Sequence, residues 1–220
     1  MELLMQYKRL SIITDPSSWL NEHIKKFISS LQSFSEEVFW SHTLKDLKES
    51  EVIFYLSFSK IAPREYLLLG KHNVVVHGSA LPLGKGWSPL TWQIIAGKNK
   101  IPMTLFEANE DLDSGLIYLQ EMMNFEGHEL INEMRIVQAD CTFNMCLEFL
   151  KNYERVVKNA KKQTGESSFY RKRTQADSKL DVNNTLLELF NLLRTVDNEK
   201  YPAFFEHLGH TYELKITKLK

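Results

Sequence analysis

A doubly wound α/β fold on a mainly parallel sheet is what this sequence predicts, and three observations carry that expectation. Several short runs are apolar almost throughout, among them EVIFYLSF (Glu51 to Phe58) and NVVVHGS (Asn73 to Ser79), as strands covered on both faces must be. Segments with apolar residues at helical spacing separate these runs, the pattern of strand, crossover helix and parallel strand. The fourth run ends in His77-Gly78 and opens a loop crowded with prolines and glycines. Open sheets of this class bind ligands beyond the carboxyl ends of their strands.

The elements follow in order. RLSIIT (Arg9 to Thr14) reads as a buried strand ended by Asp15-Pro16. Ser17 or Ser18 caps a helix whose apolar positions Leu20, Ile24, Phe27, Ile28 and Leu31 recur at helical spacing. EEVFWSHTL (Glu36 to Leu44) and EVIFYLSF are the second and third strands, Pro63 opens a short helix that Gly70 closes, and NVVVHGS is the fourth strand. Beyond the loop, Trp87 to Gly97 is expected to be helical, and Met103 to Asn109 and Gly115 to Met123 extended. One long helix is expected from Gly127 to about Lys162, with Leu130, Met134, Val137, Cys141, Met145 and Phe149 on one stripe. The polar, basic stretch Lys161 to Asp181 reads as a link to a small α+β unit, with a helix at Asn184 to Arg194 and a hairpin in AFFEHLGHTYELKI (Ala203 to Ile216). The expected division is a core over residues 1–165 and a small C-terminal unit over 166–220.

Composition narrows the function. A chain of 220 residues with 43% hydrophobic content buries a real core and is no disordered segment. Its 27 basic and 28 acidic residues leave a net charge of −1, so no global field draws it to nucleic acid or to a membrane. No apolar run approaches the roughly 20 residues of a membrane span. The start, MELLMQYKRLSIIT, lacks the long apolar stretch of a secretion signal. The two cysteines, Cys141 and Cys146, are spaced for neither a zinc site nor a redox pair. These features suggest core thiols in a reducing cytoplasm and no metal.

The loop HGSALPLGKGWSPLTW (His77 to Trp92) holds the candidate chemistry. Gly78, Gly84 and Gly86 let backbone approach a flat ligand, and Pro82 and Pro89 stiffen the segment. A lone histidine is more often structural, and LDSG (Leu112 to Gly115) alone is a turn. Brought together, the His77 imidazole and the Asp113 carboxylate make an acid–base pair. The joint pattern, HGSALP, KG and then LDSG with its aspartate 36 residues after the histidine, resembles the formyltransferases that use N10-formyltetrahydrofolate. That resemblance covers about Ser57 to Gln120.

It implies a Rossmann-like formyltransferase core, N10-formyltetrahydrofolate as the formyl donor, and His77 and Asp113 as the catalytic residues. It places Ser79, Leu81, Pro82 and Lys85 beside the cofactor, with Lys85 where the family usually has arginine. Ser57, Phe58, Gly86 and Asp111 join them, since the family holds pterins largely through main chain. GKGWSPLTWQI and the ending YRKRT through YPAFFE are most similar to the branch that formylates nucleotide-linked amino sugars for bacterial surface glycans, of pseudaminic or legionaminic type. On that reading Trp87, Tyr170, Arg171, Arg173, Arg194, Asp197 and Asn198 contact the substrate, although a basic run such as Lys151 to Arg173 is commonly a solvated face. An apolar face on the terminal unit suits a homodimer.

One residue departs from the pattern: where the family has asparagine two positions before the histidine, this chain has Val75. Losing one preorganised oxyanion donor costs about 10² to 10³ in rate. Asn73 shares the strand face of His77 but stands about 13 Å away, leaving protonated His77, Ser79 or a backbone N–H as replacements. Three other functions compete. A methionyl-tRNA-directed relative carries a C-terminal barrel for which the residues after the long helix are too few, and a glycinamide-ribonucleotide type fits the terminal unit poorly. A non-catalytic folate or nucleotide-sugar binding protein is permitted by Val75.

Overall fold

The computed structural model describes residues 6–219. Strands β1 (Tyr7–Ile13), β2 (Ser35–Ser41), β3 (Ser50–Tyr55) and β4 (Gly70–His77) run parallel. The two-residue β5 (Lys85–Gly86) lies outside this sheet, and β6 (Lys100–Glu107) and β7 (Ile117–Asn124) complete it as antiparallel neighbours. The strand order is β2-β1-β3-β4-β6-β7, a mainly parallel α/β sheet as the apolar runs predict.

Helix α1 (Ile24–Leu31) follows a 3-10 turn at Trp19–Glu22 whose first free N–H, that of Leu20, is met by the Ser18 hydroxyl. Ile24, Phe27 and Leu31 of α1 pack with Phe54 of the sheet and with Phe143, which stacks on Phe27 at 4.6 Å between centroids. The opposite face of the sheet is covered by the short α2 (Arg64–Leu67) and its flanks, around Ile13, Ile53, Tyr55 and Ala62. Helix α3 (Pro89–Ile95) leads from the glycine loop into β6.

The expected single helix after Gly127 is two. Gly127 has φ 106°, and Glu129 accepts from the N–H groups of Glu126 and Gly127, so the chain turns before a helix begins. Helix α4 then runs over Ile131–Lys151, its start capped by Glu133 accepting from Leu130 N–H at 2.8 Å. At Asn152 (φ −117°, ψ 32°) the helical path breaks, and α5 (Tyr153–Lys158) follows. Met134, Met145 and Phe149 of the anticipated stripe are buried, while Val137 and Cys141 are half-buried against the same core. Burial pushes the Cys141 thiol up to about 11 and the Cys146 thiol well above its ordinary value.

The stretch read as a link is stitched to the core. Strand β8 (Phe169–Tyr170) pairs in parallel with β5, and Ile117 and Lys161 exchange backbone hydrogen bonds at 2.8 and 2.9 Å. Beyond it come α6 (Leu186–Leu193), capped reciprocally by Thr185 and Glu188, and the hairpin of β9 (Ala203–His207) and β10 (His210–Leu214). Among the described residues no helix is long and apolar enough to cross a membrane.

The hairpin turns through Leu208 and Gly209, at φ 49° and 81°. Two left-handed residues suit the twist of a hairpin, but leucine is a poor choice for the first. Leu208→Asn is therefore expected to stabilise the fold by about 1 kcal/mol, read as a rise in the urea midpoint; an unchanged or lower midpoint contradicts the strain assigned to Leu208.

Candidate active site

Three parallel strands deliver their carboxyl ends to one place. Asp15 follows β1, Ser57 follows β3 and His77 closes β4, and the strand order reverses between β1 and β3, the kind of switch point at which such sheets bind ligands. A cleft of about 490 Å³ opens there, within the usual size of a small-molecule site. Part of its apolar lining is one row across three strands, Tyr55 opposite Val75 and Val75 opposite Phe106, which Phe58 and Ala62 extend. Residues Ser57 to Ala62 line the cleft as well, tied to the end of β1 by Ser59 N–H donating to Asp15 at 2.9 Å.

The second loop reaches the cleft from below. Because β6 runs antiparallel to β4, it ends beside Asn73, where Ala108 N–H donates to the Asn73 carbonyl at 2.6 Å. Four strand residues, about 13 Å, separate that point from His77, so the segment from Ala108 to Asp113 climbs the sheet face. At its top the Asp113 carboxylate accepts from Gly86 N–H at 2.8 Å and stands 3.8 Å from His77 Nδ1.

His77 is buried, with Nε2 2.8 Å from the Gly84 carbonyl. A carbonyl only accepts, so this contact assigns the ring proton to Nε2 and leaves Nδ1 as the open nitrogen of the neutral ring. Asp113 faces Nδ1, and an imidazole with an open nitrogen beside a carboxylate is an arrangement able to take up a proton and give it back.

Local strain concentrates here. Ser57, Ser88 and Asp113 line the cleft with left-handed backbones at φ 48°, 52° and 49°, a conformation that costs about 1–3 kcal/mol where no glycine provides it. Gly84 and Gly86, at φ 71° and 95°, also have no space for a side chain, since a Cβ would press on the ring and the carbonyl of Tyr170. β5 and β8 approach this closely because those positions are glycine.

The structure sorts the residues expected from sequence. Ser57, Phe58, Gly86 and Asp111 line the cleft with His77 and Asp113, as do Trp87, Arg173 and Asp197. Ser79, Leu81, Pro82 and Lys85 are not in its lining. Ser79 and Leu81 turn into the interior, and the Lys85 ammonium lies 6.0 Å from the Phe169 ring. Ser79 Oγ is therefore no replacement for the missing asparagine. Asn73 is engaged elsewhere, donating to the Leu67 carbonyl at 2.8 Å.

Tyr170, Arg171, Arg194 and Asn198 also lie outside the lining. Tyr170 stacks on Trp92, while Arg171 pairs with Asp177 and covers Trp92. Arg194 is fully buried and donates to Asn99 and Asn191, and Asn198 bonds the Ile216 backbone in both directions. Sequence reasoning missed Arg135, Gln138 and Thr142, which with Ile131 put one face of α4 into the cleft. The available signal was a polar row at helical spacing beside the apolar stripe.

Residues 11–138 match the formyl transferase family. The chain belongs to that family. Among curated formyl transferases, the methionyl-tRNA formyltransferase of Thermodesulfovibrio yellowstonii is 28% identical over 158 residues, 69% of this chain and 50% of that protein. The chain thus spans about half the length of that relative. The solved methionyl-tRNA formyltransferase from Clostridium thermocellum superposes with a TM-score of 0.81 at 24% identity, covering 97% of this chain and 94% of that one. A sugar N-formyltransferase from Shewanella gives a TM-score of 0.67 at 16% identity, over 97% and 98% of the two chains. Both likenesses establish the formyl transferase fold.

Thr195, Asp197 and Tyr201 also wall the cleft. Burial works against the Asp197 charge, but N–H groups of Lys200 and Glu199 and the Arg135 guanidinium outweigh it and hold the carboxyl below the usual range. A carboxyl lowered in the folded state stabilises above its unfolded pKa, and that contribution is lost as pH falls through the folded value. Asp197→Asn should cost about 1–3 kcal/mol at pH 7 and flatten the loss of stability below about pH 4. Urea unfolding across pH measures both, and parallel curves for the two proteins contradict the assignment.

Proposed function

We propose that the chain transfers a formyl group from N10-formyltetrahydrofolate to the amine of a nucleotide-linked amino sugar. The observation that carries this reading is the meeting of His77 and Asp113 at the end of β4, inside a cleft with an apolar row and a main-chain rim. The apolar surface of Tyr55, Phe58, Val75 and Phe106 suits one face of a flat pterin, and the peptide groups of Ser57 to Ala62 suit its polar edge. When bound, the folate supplies the activated formyl carbon.

The residues of this chain then manage charge and proton. His77 Nδ1 takes the proton of the attacking amine and passes it to the departing nitrogen, and Asp113 steadies the charged ring between the two transfers. Val75 contributes apolar surface in place of an amide donor, so the developing oxyanion is left to backbone N–H groups or to the protonated ring. Arg173, with a buried Nε that has no hydrogen-bond partner among the described residues, and neighbouring Lys172 suit the pyrophosphate of a nucleotide. Burial lowers the Arg173 pKa, and an anion beside the guanidinium relieves that cost.

The curated relatives favour a second acceptor, methionyl-tRNA. Incubation with N10-formyltetrahydrofolate and either a panel of UDP-, dTDP- and GDP-linked amino sugars or methionyl-tRNA separates the two. A formyl mass increment on a sugar is the expected result; an increment on the tRNA alone contradicts the sugar assignment. Binding of folate and sugar without release of tetrahydrofolate would make the chain a binding protein. His77→Ala is expected to lower turnover at least about a hundredfold. Asp113→Asn, which keeps an acceptor for Gly86 N–H and loses the charge, should do the same with the fold intact. A near wild-type rate in either variant removes that residue from the chemistry.

A further inference from the structure

Asp113 sits in a left-handed backbone conformation in a loop whose own hydrogen bonds run among Asn109, Asp111 and Ser114 and leave the Asp113 and Gly115 carbonyls free of them. A restraint on those two carbonyls comes from residue 163. Gln163 Nε2 donates to the Asp113 carbonyl at 2.9 Å and to the Gly115 carbonyl at 3.0 Å, so both protons of one amide nitrogen are directed at the turn that presents the carboxylate. The amide has only one workable orientation, since turning it over would put its oxygen against two carbonyl oxygens. Its own Oε1 is buried without a partner among the described residues, a cost of the kind seen where a donor's placement matters more than full pairing.

The same short segment grips the other half of the site. Ser168 Oγ accepts from Gly84 N–H at 2.8 Å, the Ser168 carbonyl accepts from Lys85 N–H at 2.9 Å, and the Tyr170 carbonyl accepts from Trp87 N–H at 3.1 Å. Gly84 carries the carbonyl that fixes the His77 ring, and Gly86 donates to Asp113. The strap from Lys161 to Tyr170 thus joins the histidine loop and the aspartate loop from outside the cleft, and among the expected and lining residues Gln163 is absent because it touches no ligand space.

We infer that Gln163 is a positioning residue for the reaction: by clamping the backbone on either side of Ser114 it sets the approach of the Asp113 carboxylate to His77. The inference rests on the catalytic roles proposed above. Displacements of about 1 Å at such a pair are worth roughly a hundredfold in rate.

The test uses Gln163→Met, which keeps the length and removes the donor, and Gln163→Glu, which keeps the shape and faces the two carbonyls with a carboxylate. Each is assayed for formyl transfer beside His77→Ala, with thermal unfolding alongside. The expected result is a fall in kcat of roughly ten- to a hundredfold, a KM for N10-formyltetrahydrofolate within about threefold of wild type, and a melting temperature close to wild type. A kcat within about twofold of wild type in Gln163→Met, with His77→Ala inactive, overturns the positioning role and leaves the catalytic reading standing. Loss of kcat that only tracks a loss of thermal stability also overturns it, in favour of a purely structural clamp. Wild-type rates in both Gln163→Met and His77→Ala overturn the catalytic reading as well.

Discussion

The site depends on one carboxylate serving two loops. Asp113 accepts from Gly86 N–H and faces His77 across 3.8 Å, and His77 in turn is fixed by the Gly84 carbonyl two residues before Gly86. These two hydrogen bonds and the facing pair join the end of β4 to a loop that enters from the opposite end of an antiparallel strand. Each contact restrains the next. A buried polar circuit holds its geometry when its members are satisfied and fails as a unit when one is removed.

The surroundings make that circuit affordable. Glycine at 84 and 86 allows β5 and β8 to approach, and the left-handed backbones at Ser57, Ser88 and Asp113 place side chains and peptide groups where a regular strand or helix would not. Such strain persists only where packing and hydrogen bonds over-determine the conformation. Here the rigid parallel sheet supplies one side and the strap from Lys161 to Tyr170 supplies the other. The Arg135 and Asp197 ion pair adds a further wall.

Much of the fold was legible because the pattern of apolar residues determines it. The apolar runs ending at Thr14, Phe58 and Ser79 are strands, and the capped segments between them are helical, as periodicity requires. The break at Asn152 was not legible, because asparagine is tolerated inside helices and only the packing beyond it reveals the turn. The meeting of His77 and Asp113 was readable through the joint pattern of their motifs. Arg194 and Asn198 were misplaced because a polar residue in a matching stretch does not disclose whether its partner is a ligand or the protein's own backbone. The α4 residues Arg135, Gln138 and Thr142 showed only as a polar row, because an amphipathic helix shows which face is apolar, not what the polar face overlooks.

The most direct test of this account is the tautomer of His77, read by long-range ¹H–¹⁵N correlation of the imidazole at neutral pH. The account predicts a ring protonated at Nε2, hydrogen-bonded to the Gly84 carbonyl, with a free Nδ1 lone pair toward Asp113. A neutral ring carrying its proton on Nδ1 would break the circuit at its centre and remove the proton acceptor on which the proposed chemistry rests.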